Sequence, residues 1–272
     1  QIISIPRVEA CGTSTDVSLP CMMSRIGRSD YNRDRILSEE QLPSLLNRAG
    51  ANVLWIDNQS GCKGACTGVS SRATTPNPQD CPNGECGDRV FLSELKGELG
   101  KLPADRPTVL FLHMMGSHGP AYSLRSDKAR KLFEPECTDA DLKSCSRESV
   151  MNAYDNSVRE TDYVLASLIR MLKDTSGSID SALVYVSDHG ESLGEGGLYL
   201  HGAPYWMAPK EQTEVPMVLW MNSGFEKTFS INRSKLEKNA AGRVTHENLY
   251  HTVLGLLNVK STTYVPTYDL TH

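Results

Sequence analysis

Residues 181–202 read SALVYVSDHGESLGEGGLYLHG, and this stretch decides the fold class of the chain. It opens with an apolar run over 182–186, rich in β-branched and aromatic side chains, which is typical of a central strand in a parallel sheet. The run ends at Asp188 and His189, and ligands of open α/β sheets bind at the carboxyl ends of such strands. Carboxylate and imidazole groups are zinc ligands, and His201 follows after a glycine-rich loop. A solvated Asp-His turn is the alternative, but the strand and the second histidine favour a metal site.

The composition is that of one globular domain. The chain has 272 residues, of which 39% are hydrophobic and 22% charged, enough for a single large α/β domain with a sizeable core. The net charge of −5 argues against a nucleic-acid-binding protein, whose surface should be basic. No run approaches the length of a membrane span, and no signal peptide opens the chain. We therefore expect one globular domain that does not bind nucleic acid.

The eight cysteines fall in four close sequential pairs: Cys11 and Cys21, Cys62 and Cys66, Cys81 and Cys86, Cys137 and Cys145. Each pair lies near Gly, Pro or Asp, a pattern that predicts short loops closed by disulfides. A structural zinc site built from the second and third pairs is the alternative. Disulfides are favoured because all four pairs are local and no compact CxxC occurs. Disulfides need an oxidising compartment, so we expect a periplasmic or extracellular domain.

Residues 9–21, EACGTSTDVSLPC, place two threonines just ahead of a predicted helix start at Asp16. Serine and threonine are common helix caps, so capping alone could explain them. The functional interpretation is a hydroxyl nucleophile at a helix N-terminus, where free N–H groups and the helix dipole favour a phosphate. The segment by itself leaves the two interpretations equal, and it does not choose between Thr13 and Thr15.

Two further predicted strands end in polar residues. A strand over 52–57 leads to Lys63, which is either a fixed positive charge for a phosphate or a solvated loop lysine. A strand over 107–113 leads to His118, whose position between serine and glycine in a loop favours contact with a ligand. His113 continues the apolar run and is a candidate core histidine. If these strand ends converge on one edge of the sheet, they surround a common site.

Amphipathic spacing and capping residues predict the remaining elements. These are helices over residues 38–50, 88–101, 146–174 and from 245 onward, a strand over 216–221 and a surface loop over 67–87. His246 and His251 belong to the last helix, where a role at the helix start or exposure to solvent is favoured over metal binding. Strands that alternate with helices predict a mostly parallel sheet with helices on both faces.

Six segments together resemble one enzyme family. They read ACGTSTDVSLPC, WIDNQSGCKGAC, MMGSHGPAY, NAYDNSV, YVSDHGESLGEGGLYLHG and APKEQTEVP, in this order along nearly the whole chain. The set is similar to the bacterial lipid A phosphoethanolamine transferases, a group that includes the plasmid-borne colistin-resistance enzymes. The resemblance implies an alkaline-phosphatase/sulfatase-like α/β/α sandwich with a mostly parallel central sheet. It also implies that residues 1–272 are a single periplasmic catalytic domain of an inner-membrane enzyme, without its N-terminal membrane domain and first strand.

Matched residue by residue, the resemblance implies that Thr15 is the nucleophile and becomes modified with phosphoethanolamine. It implies a main zinc ion held by Thr15, Asp188 and His189. It also implies that three residues line the substrate or accessory-zinc side of the pocket: Lys63, His118 and His201. The family's remaining zinc ligand is a glutamate on the first strand. No residue upstream of the CGTST segment matches it, because Glu9 lies too close to Thr15.

The resemblance implies transfer of phosphoethanolamine from phosphatidylethanolamine to a lipid A phosphate. The added ethanolamine cation would mask negative charge on the outer membrane and confer resistance to cationic peptides such as polymyxin and colistin. A membrane-attached monomer facing the periplasm is expected. Within the same fold, the alternatives are a phosphatase, a phosphodiesterase or a phosphoglycerol transferase. A non-catalytic domain that binds a lipid headgroup is the alternative from another class.

Overall fold

The computed structural model of the chain describes residues 2–76, 81 and 86–272. Its strands are β1 (Ile2–Glu9), β2 (Asn52–Asp57), β3 (Ser70–Ala73), β4 (Thr108–His113), β5 (Ala182–Val186), β6 (Ser192–Leu193), β7 (Tyr199–Leu200), β8 (Glu214–Met221) and β9 (Val244–Thr245). Its α-helices are α1 (Thr15–Met22), α2 (Arg33–Ser38), α3 (Leu42–Arg48), α4 (Val90–Leu99), α5 (Arg147–Asp174), α6 (Lys210–Thr213), α7 (Ser223–Thr228), α8 (Arg233–Ala240) and α9 (Glu247–Leu256).

Most predicted elements lie within a few residues of their observed positions. Helix α5 begins after Ser146, whose hydroxyl accepts a hydrogen bond from the Ser149 N–H at 3.1 Å. The prediction of one helix over 38–50 is wrong, because the segment forms the end of α2 and a separate α3. Pro43 lies in the first turn of α3, a position that suits proline, whereas the helix interior does not.

The loop predicted over residues 67–87 is partly wrong, because it contains strand β3. Alternation of buried side chains is absent from this strand, so nothing in its sequence distinguishes it from a loop. Residues 77–80 and 82–85 of the same prediction lie outside the described residues. Strand β1 begins with a short apolar run over residues 2–5 and continues to Glu9, although Pro6 and Arg7 interrupt the apolar pattern at a bulge.

The described strands form two larger sheets and one two-stranded ribbon. One sheet has the order β5-β8-β1-β9, and the other has the order β3-β2-β4. Strand β8 runs antiparallel to both β1 and β5, whereas β1 pairs with β9, and β2 with β3 and β4, in parallel. The expected α/β architecture is therefore present; the β3-β2-β4 sheet is wholly parallel, whereas the β5-β8-β1-β9 sheet is mixed.

The prediction of parallel pairing for β5 is wrong for its observed neighbour: within the described residues β5 pairs with β8 alone, and the two strands are antiparallel. The apolar run of β5 is explained by packing on both faces of the strand, and it gives no information about the neighbouring strands. Leu183 packs with α4 and α5 on one face, and Val184 packs into the main core on the other. On β4, Leu110 and Phe111 divide between the same two clusters. Strands β4 and β5 thus lie in one layer, and each lacks a second strand neighbour among the described residues.

All four predicted disulfides are present: Cys11–Cys21, Cys62–Cys66, Cys81–Cys86 and Cys137–Cys145. The alternative of a zinc site made from cysteines is therefore wrong, since all eight sulfurs are paired. Among the described residues, each helix is too short or too polar to cross a membrane.

Candidate active site and metal centre

The turn between β1 and α1 is conformationally constrained, and this constraint fixes the position of the start of α1. The disulfide between Cys11 and Cys21 ties the turn to the last turn of that helix. Gly12 is required here for space, because a Cβ atom would lie 2.7 Å from Val17 Cγ1 and 2.9 Å from the backbone nitrogen of Ser18. The polar side chains of the turn are therefore held at the N-terminus of α1.

The two threonines of this turn have different partners. Thr13 Oγ1 donates a hydrogen bond to the carbonyl oxygen of Ala203 at 2.6 Å. Thr15 is the first residue of α1 and is buried, and its Oγ1 lies 3.2 Å from His189 Nε2. The Thr13 hydroxyl is thus committed to the backbone, whereas the Thr15 hydroxyl faces an imidazole. This geometry separates two residues that the sequence leaves equal.

Asp188 and His189 follow β5 and lie next to Thr15. Asp188 Oδ2 is 3.6 Å from His189 Nε2, and it is buried without a hydrogen-bond partner among the described residues. Burial raises the pKa of Asp188, but the nearby His189, the Thr15 hydroxyl and His113 outweigh burial, so the net pKa is lowered. An ionised, buried carboxylate oxygen that lacks a donor suits a bound cation.

Glu191, His201 and His118 form a second group beside His189. Glu191 is buried; it accepts a hydrogen bond from Tyr122 Oη at 2.9 Å and pairs with His201 Nδ1 at 2.9 Å. The ring centroids of His118 and His201 are 4.9 Å apart, and those of His189 and His201 are 4.3 Å apart. Among the described residues, His189, Glu191 and His201 offer ligand atoms that all lie within 4.8 Å of one another. The sequence analysis missed Glu191, although a carboxylate in the predicted ligand loop was a usable signal.

In each of the three histidines, the ring nitrogen Nδ1 lies next to a carbonyl or carboxylate oxygen. The Nδ1 atoms of His118 and His189 lie 2.7 Å and 3.0 Å from the carbonyl oxygens of the glycines that follow them, and His201 Nδ1 meets Glu191. These acceptors place the proton on Nδ1 and leave Nε2 as the ligand atom. Burial lowers the pKa of His118, whereas the hydrogen bond to Glu191 raises the pKa of His201.

The loop after β2 brings Gln59, a residue not predicted from the sequence, to Thr15. Gln59 Nε2 lies 3.5 Å from Thr15 Oγ1. Lys63, the predicted phosphate-binding lysine, instead donates from Nζ to the carbonyl oxygen and the hydroxyl of Ser60, both at 2.8 Å. Of the predicted site residues, Lys63 alone has no recorded contact with the rest of the cluster within the described chain.

Asp57 shapes this loop from the end of β2. Its Oδ1 accepts hydrogen bonds from the N–H groups of Gln59 and Gly61, at 2.9 Å and 3.0 Å, and its Oδ2 lies 2.8 Å from His113 Nδ1. Burial raises the pKa of Asp57, but these bonds outweigh burial and lower it well below its usual range. His113 is accordingly a partly buried histidine with a structural partner, close to the core role predicted for it.

His246 connects the turn between β1 and α1 to the end of β5. It caps α9 and is 1% exposed, so the predicted position at the helix start is confirmed and the predicted exposure is wrong. Its Nδ1 accepts a hydrogen bond from the Cys11 N–H at 3.0 Å, and its Nε2 donates to the Ser187 carbonyl oxygen at 3.0 Å. The Ser18 hydroxyl adds a bond to the Asp188 carbonyl oxygen. These contacts fix α1 and the Asp188 loop relative to each other.

The site therefore combines a hydroxyl at a helix N-terminus with a buried carboxylate and three imidazoles. Oxygen and imidazole nitrogen are suitable zinc ligands. The free N–H groups of a first helical turn suit a phosphate. The donor set consequently fits metal-assisted chemistry on a phosphate ester.

Comparison with known proteins identifies the family of the chain. The family model described as Sulfatase matches residues 1–259. Phosphoethanolamine transferase EptA of Escherichia coli (strain K12) is 39% identical over 99% of this chain and 50% of its own length. Phosphatidylethanolamine transferase Mcr-2 of Escherichia coli is 38% identical over 95% of this chain and 48% of its own length. The chain thus spans about half the length of the curated relatives it matches.

Solved structures show the same relationship. The soluble domain of lipooligosaccharide phosphoethanolamine transferase A from Neisseria meningitidis superposes with a TM-score of 0.94 at 40% identity, covering 99% of this chain and 81% of that one. The integral membrane form of the same protein gives the same TM-score and identity, over 51% of its chain. The predicted fold family and enzyme family are both confirmed. The chain belongs to the sulfatase family and, within it, to the phosphoethanolamine transferases.

Proposed function

We propose that this domain transfers phosphoethanolamine from phosphatidylethanolamine to a lipid A phosphate through a covalent intermediate on Thr15. The observation that carries the proposal is the position of Thr15 Oγ1, at a helix N-terminus and 3.2 Å from His189 Nε2. The relatives support the substrates, since they are named as phosphoethanolamine and phosphatidylethanolamine transferases.

The residues present fit a zinc ion. Thr15, Asp188 and His189 would hold it, and the strongest support for a cation there is the buried Asp188 Oδ2, which has no donor among the described residues. A bound zinc ion lowers the pKa of a coordinated hydroxyl and offsets negative charge on a phosphate. An accessory zinc ion would use the free Nε2 atoms of His118 and His201.

In the first step, Thr15 Oγ1 forms a bond to the donor phosphorus while the bond from phosphorus to the diacylglycerol oxygen breaks. The hydroxyl proton of Thr15 passes to solvent water, and the departing diacylglycerol oxygen takes a proton from solvent water. The N–H groups of the first turn of α1 stabilise the charge that develops on the phosphoryl oxygens. Lys63 would join them after releasing Ser60.

In the second step, a lipid A phosphate oxygen attacks the same phosphorus, and Thr15 Oγ1 leaves and regains its proton. The product carries an additional ethanolamine cation. Masking of outer-membrane phosphate charge in this way weakens the binding of cationic peptides such as polymyxin and colistin.

The location that fits is the periplasmic face of the inner membrane, with the domain attached through a further part of the polypeptide as a monomer. Four disulfides support an oxidising compartment. Among the described residues, β4 and β5 each have one unpaired edge, and both strands pack into the same two groups of core side chains. These observations support a further strand between them. That strand would bring the glutamate that completes the zinc site.

Mass spectrometry of the intact protein after incubation with phosphatidylethanolamine and zinc tests the proposal. A phosphoethanolamine adduct should form on the wild type and on Thr13→Val but not on Thr15→Val. Thr13→Val is the matched control, since that hydroxyl bonds only to the Ala203 backbone. An adduct that persists in Thr15→Val would refute the nucleophile, and release of free phosphate without transfer would favour a phosphatase.

A further inference from the structure

The segment that precedes α6 carries exposed apolar side chains beside the active site. Trp206 is 84% exposed and Met207 is 53% exposed, and both lie in one short 3-10 turn that follows Pro204. The other two tryptophans, Trp55 and Trp220, are each 2% exposed. Single exposed apolar residues are common, but an almost fully exposed indole next to an exposed methionine suits a binding surface.

The backbone that carries Trp206 and Met207 is fixed to the turn between β1 and α1. Tyr205 Oη donates to the carbonyl oxygen of Ala10 at 2.9 Å, and the guanidinium of Arg28 stacks on the Tyr205 ring at 3.8 Å. Thr13 donates to the Ala203 carbonyl oxygen from the same turn. Trp206 and Met207 therefore stand on a backbone that is already ordered, so binding a partner requires little further ordering of that backbone.

We propose that Trp206 and Met207 insert into the headgroup region of a lipid bilayer and set the depth at which the Thr15 pocket meets a membrane lipid. This inference rests on the proposed function, in which the donor is a membrane lipid. Tryptophan resides at the headgroup level of membranes, because its ring is apolar and its N–H is polar. The phosphate of the donor lies at that same level. Lys210, exposed at the start of α6, adds a positive charge that complements lipid phosphates.

Vesicles of phosphatidylethanolamine and phosphatidylglycerol provide the test, with the 272-residue chain and no added zinc. The wild type should sediment with vesicles, and its tryptophan emission should shift to the blue, since only Trp206 is exposed to report a change. Trp206→Ala should reduce sedimentation at least tenfold, and Met207→Ala should reduce it several-fold. Ile2→Ala is the matched control: Ile2 is 55% exposed at the opposite end of β1 and should bind like the wild type.

Binding of Trp206→Ala to vesicles with the affinity of the wild type would overturn the inference. So would an unchanged wild-type emission spectrum, or a Trp206-dependent dimer that forms without lipid. Adduct formation on Thr15 separates this inference from the proposed function. Trp206→Ala should form the adduct normally with a short-chain, water-soluble phosphatidylethanolamine and poorly with vesicles. If no donor yields an adduct, the proposed function fails, while the sedimentation result still decides the role of Trp206.

Discussion

His246 offers a quantitative test of how the site is held together. Burial lowers the pKa of His246 to about 4, and its Nδ1 accepts the Cys11 N–H, so a proton on Nδ1 would point at another proton. In the unfolded chain the pKa returns to about 6.5. The unfolded state therefore binds the proton first as the pH falls, and stability that is complete above pH 6.5 is lost between pH 6.5 and 4. A shift of this size corresponds to roughly 3 kcal/mol.

Two substitutions of His246 separate its two hydrogen bonds. The Oδ1 atom of asparagine can take the position of Nδ1 and accept the Cys11 N–H, but it leaves the Ser187 carbonyl without a donor. The Nε2 atom of glutamine can donate to Ser187 but leaves the Cys11 N–H unpaired. Each variant should lose about 1–3 kcal/mol at pH 7, the usual cost of one buried unpaired group. His246→Ala loses both bonds and should be destabilised most.

Urea unfolding of the wild type and His246→Asn at pH 7 and pH 4.5 is the assay. The wild type should lose about 2–3 kcal/mol more than the variant on acidification, because the variant has no imidazole at this position to protonate. His251 is also buried with a pKa of about 4, but it titrates in both proteins and cancels in the difference. An equal loss in the two proteins would refute the assignment of a buried neutral imidazole at position 246.

The remaining predictions concern the metal and its surroundings. Asp188→Asn should abolish the rise in melting temperature on adding zinc, because it removes the buried carboxylate oxygen that has no hydrogen-bond donor among the described residues; a normal zinc response in differential scanning fluorimetry would contradict this. Tyr122→Phe should cost about 1–3 kcal/mol in urea unfolding, since Glu191 loses a buried donor without a cavity opening; a neutral result would show that Glu191 finds another donor. Gly190→Ala should cost about 1–3 kcal/mol and weaken zinc binding measured by calorimetry, because its Cβ would run into the Glu211 carbonyl oxygen; wild-type zinc affinity would show that the loop can move aside.

Local patterns in the chain predicted much of the fold. The bounds of β2 and α5 follow from apolar periodicity and from capping at Ser146, and the disulfides follow from the close spacing of their cysteines. Strand order and direction were not predictable in the same way. A strand covered on both faces shows the same apolar run whether its neighbour is parallel or antiparallel, so the run in β5 did not predict its antiparallel pairing with β8.

The candidate site was likewise predictable from local sequence patterns only in part. Asp188, His189 and His201 stand in one stretch of chain, so their residue types and spacing sufficed to predict a metal site. The partner hydroxyl lies far away in sequence, and residue types could not rank Thr13 against Thr15. The family resemblance pointed to Thr15, and the folded backbone supports that choice by committing the Thr13 hydroxyl to Ala203 and turning the Thr15 hydroxyl toward His189.

By itself, the sequence determined which chemical groups are available and which family pattern they follow. The tertiary structure alone decided which of them meet: Glu191 with His201, Gln59 with Thr15, and buried His246 with the backbone on both sides of the site. The physical reason is that hydrogen bonds and burial depend on distances between segments that are remote in the chain. Local propensity carries no information about those distances.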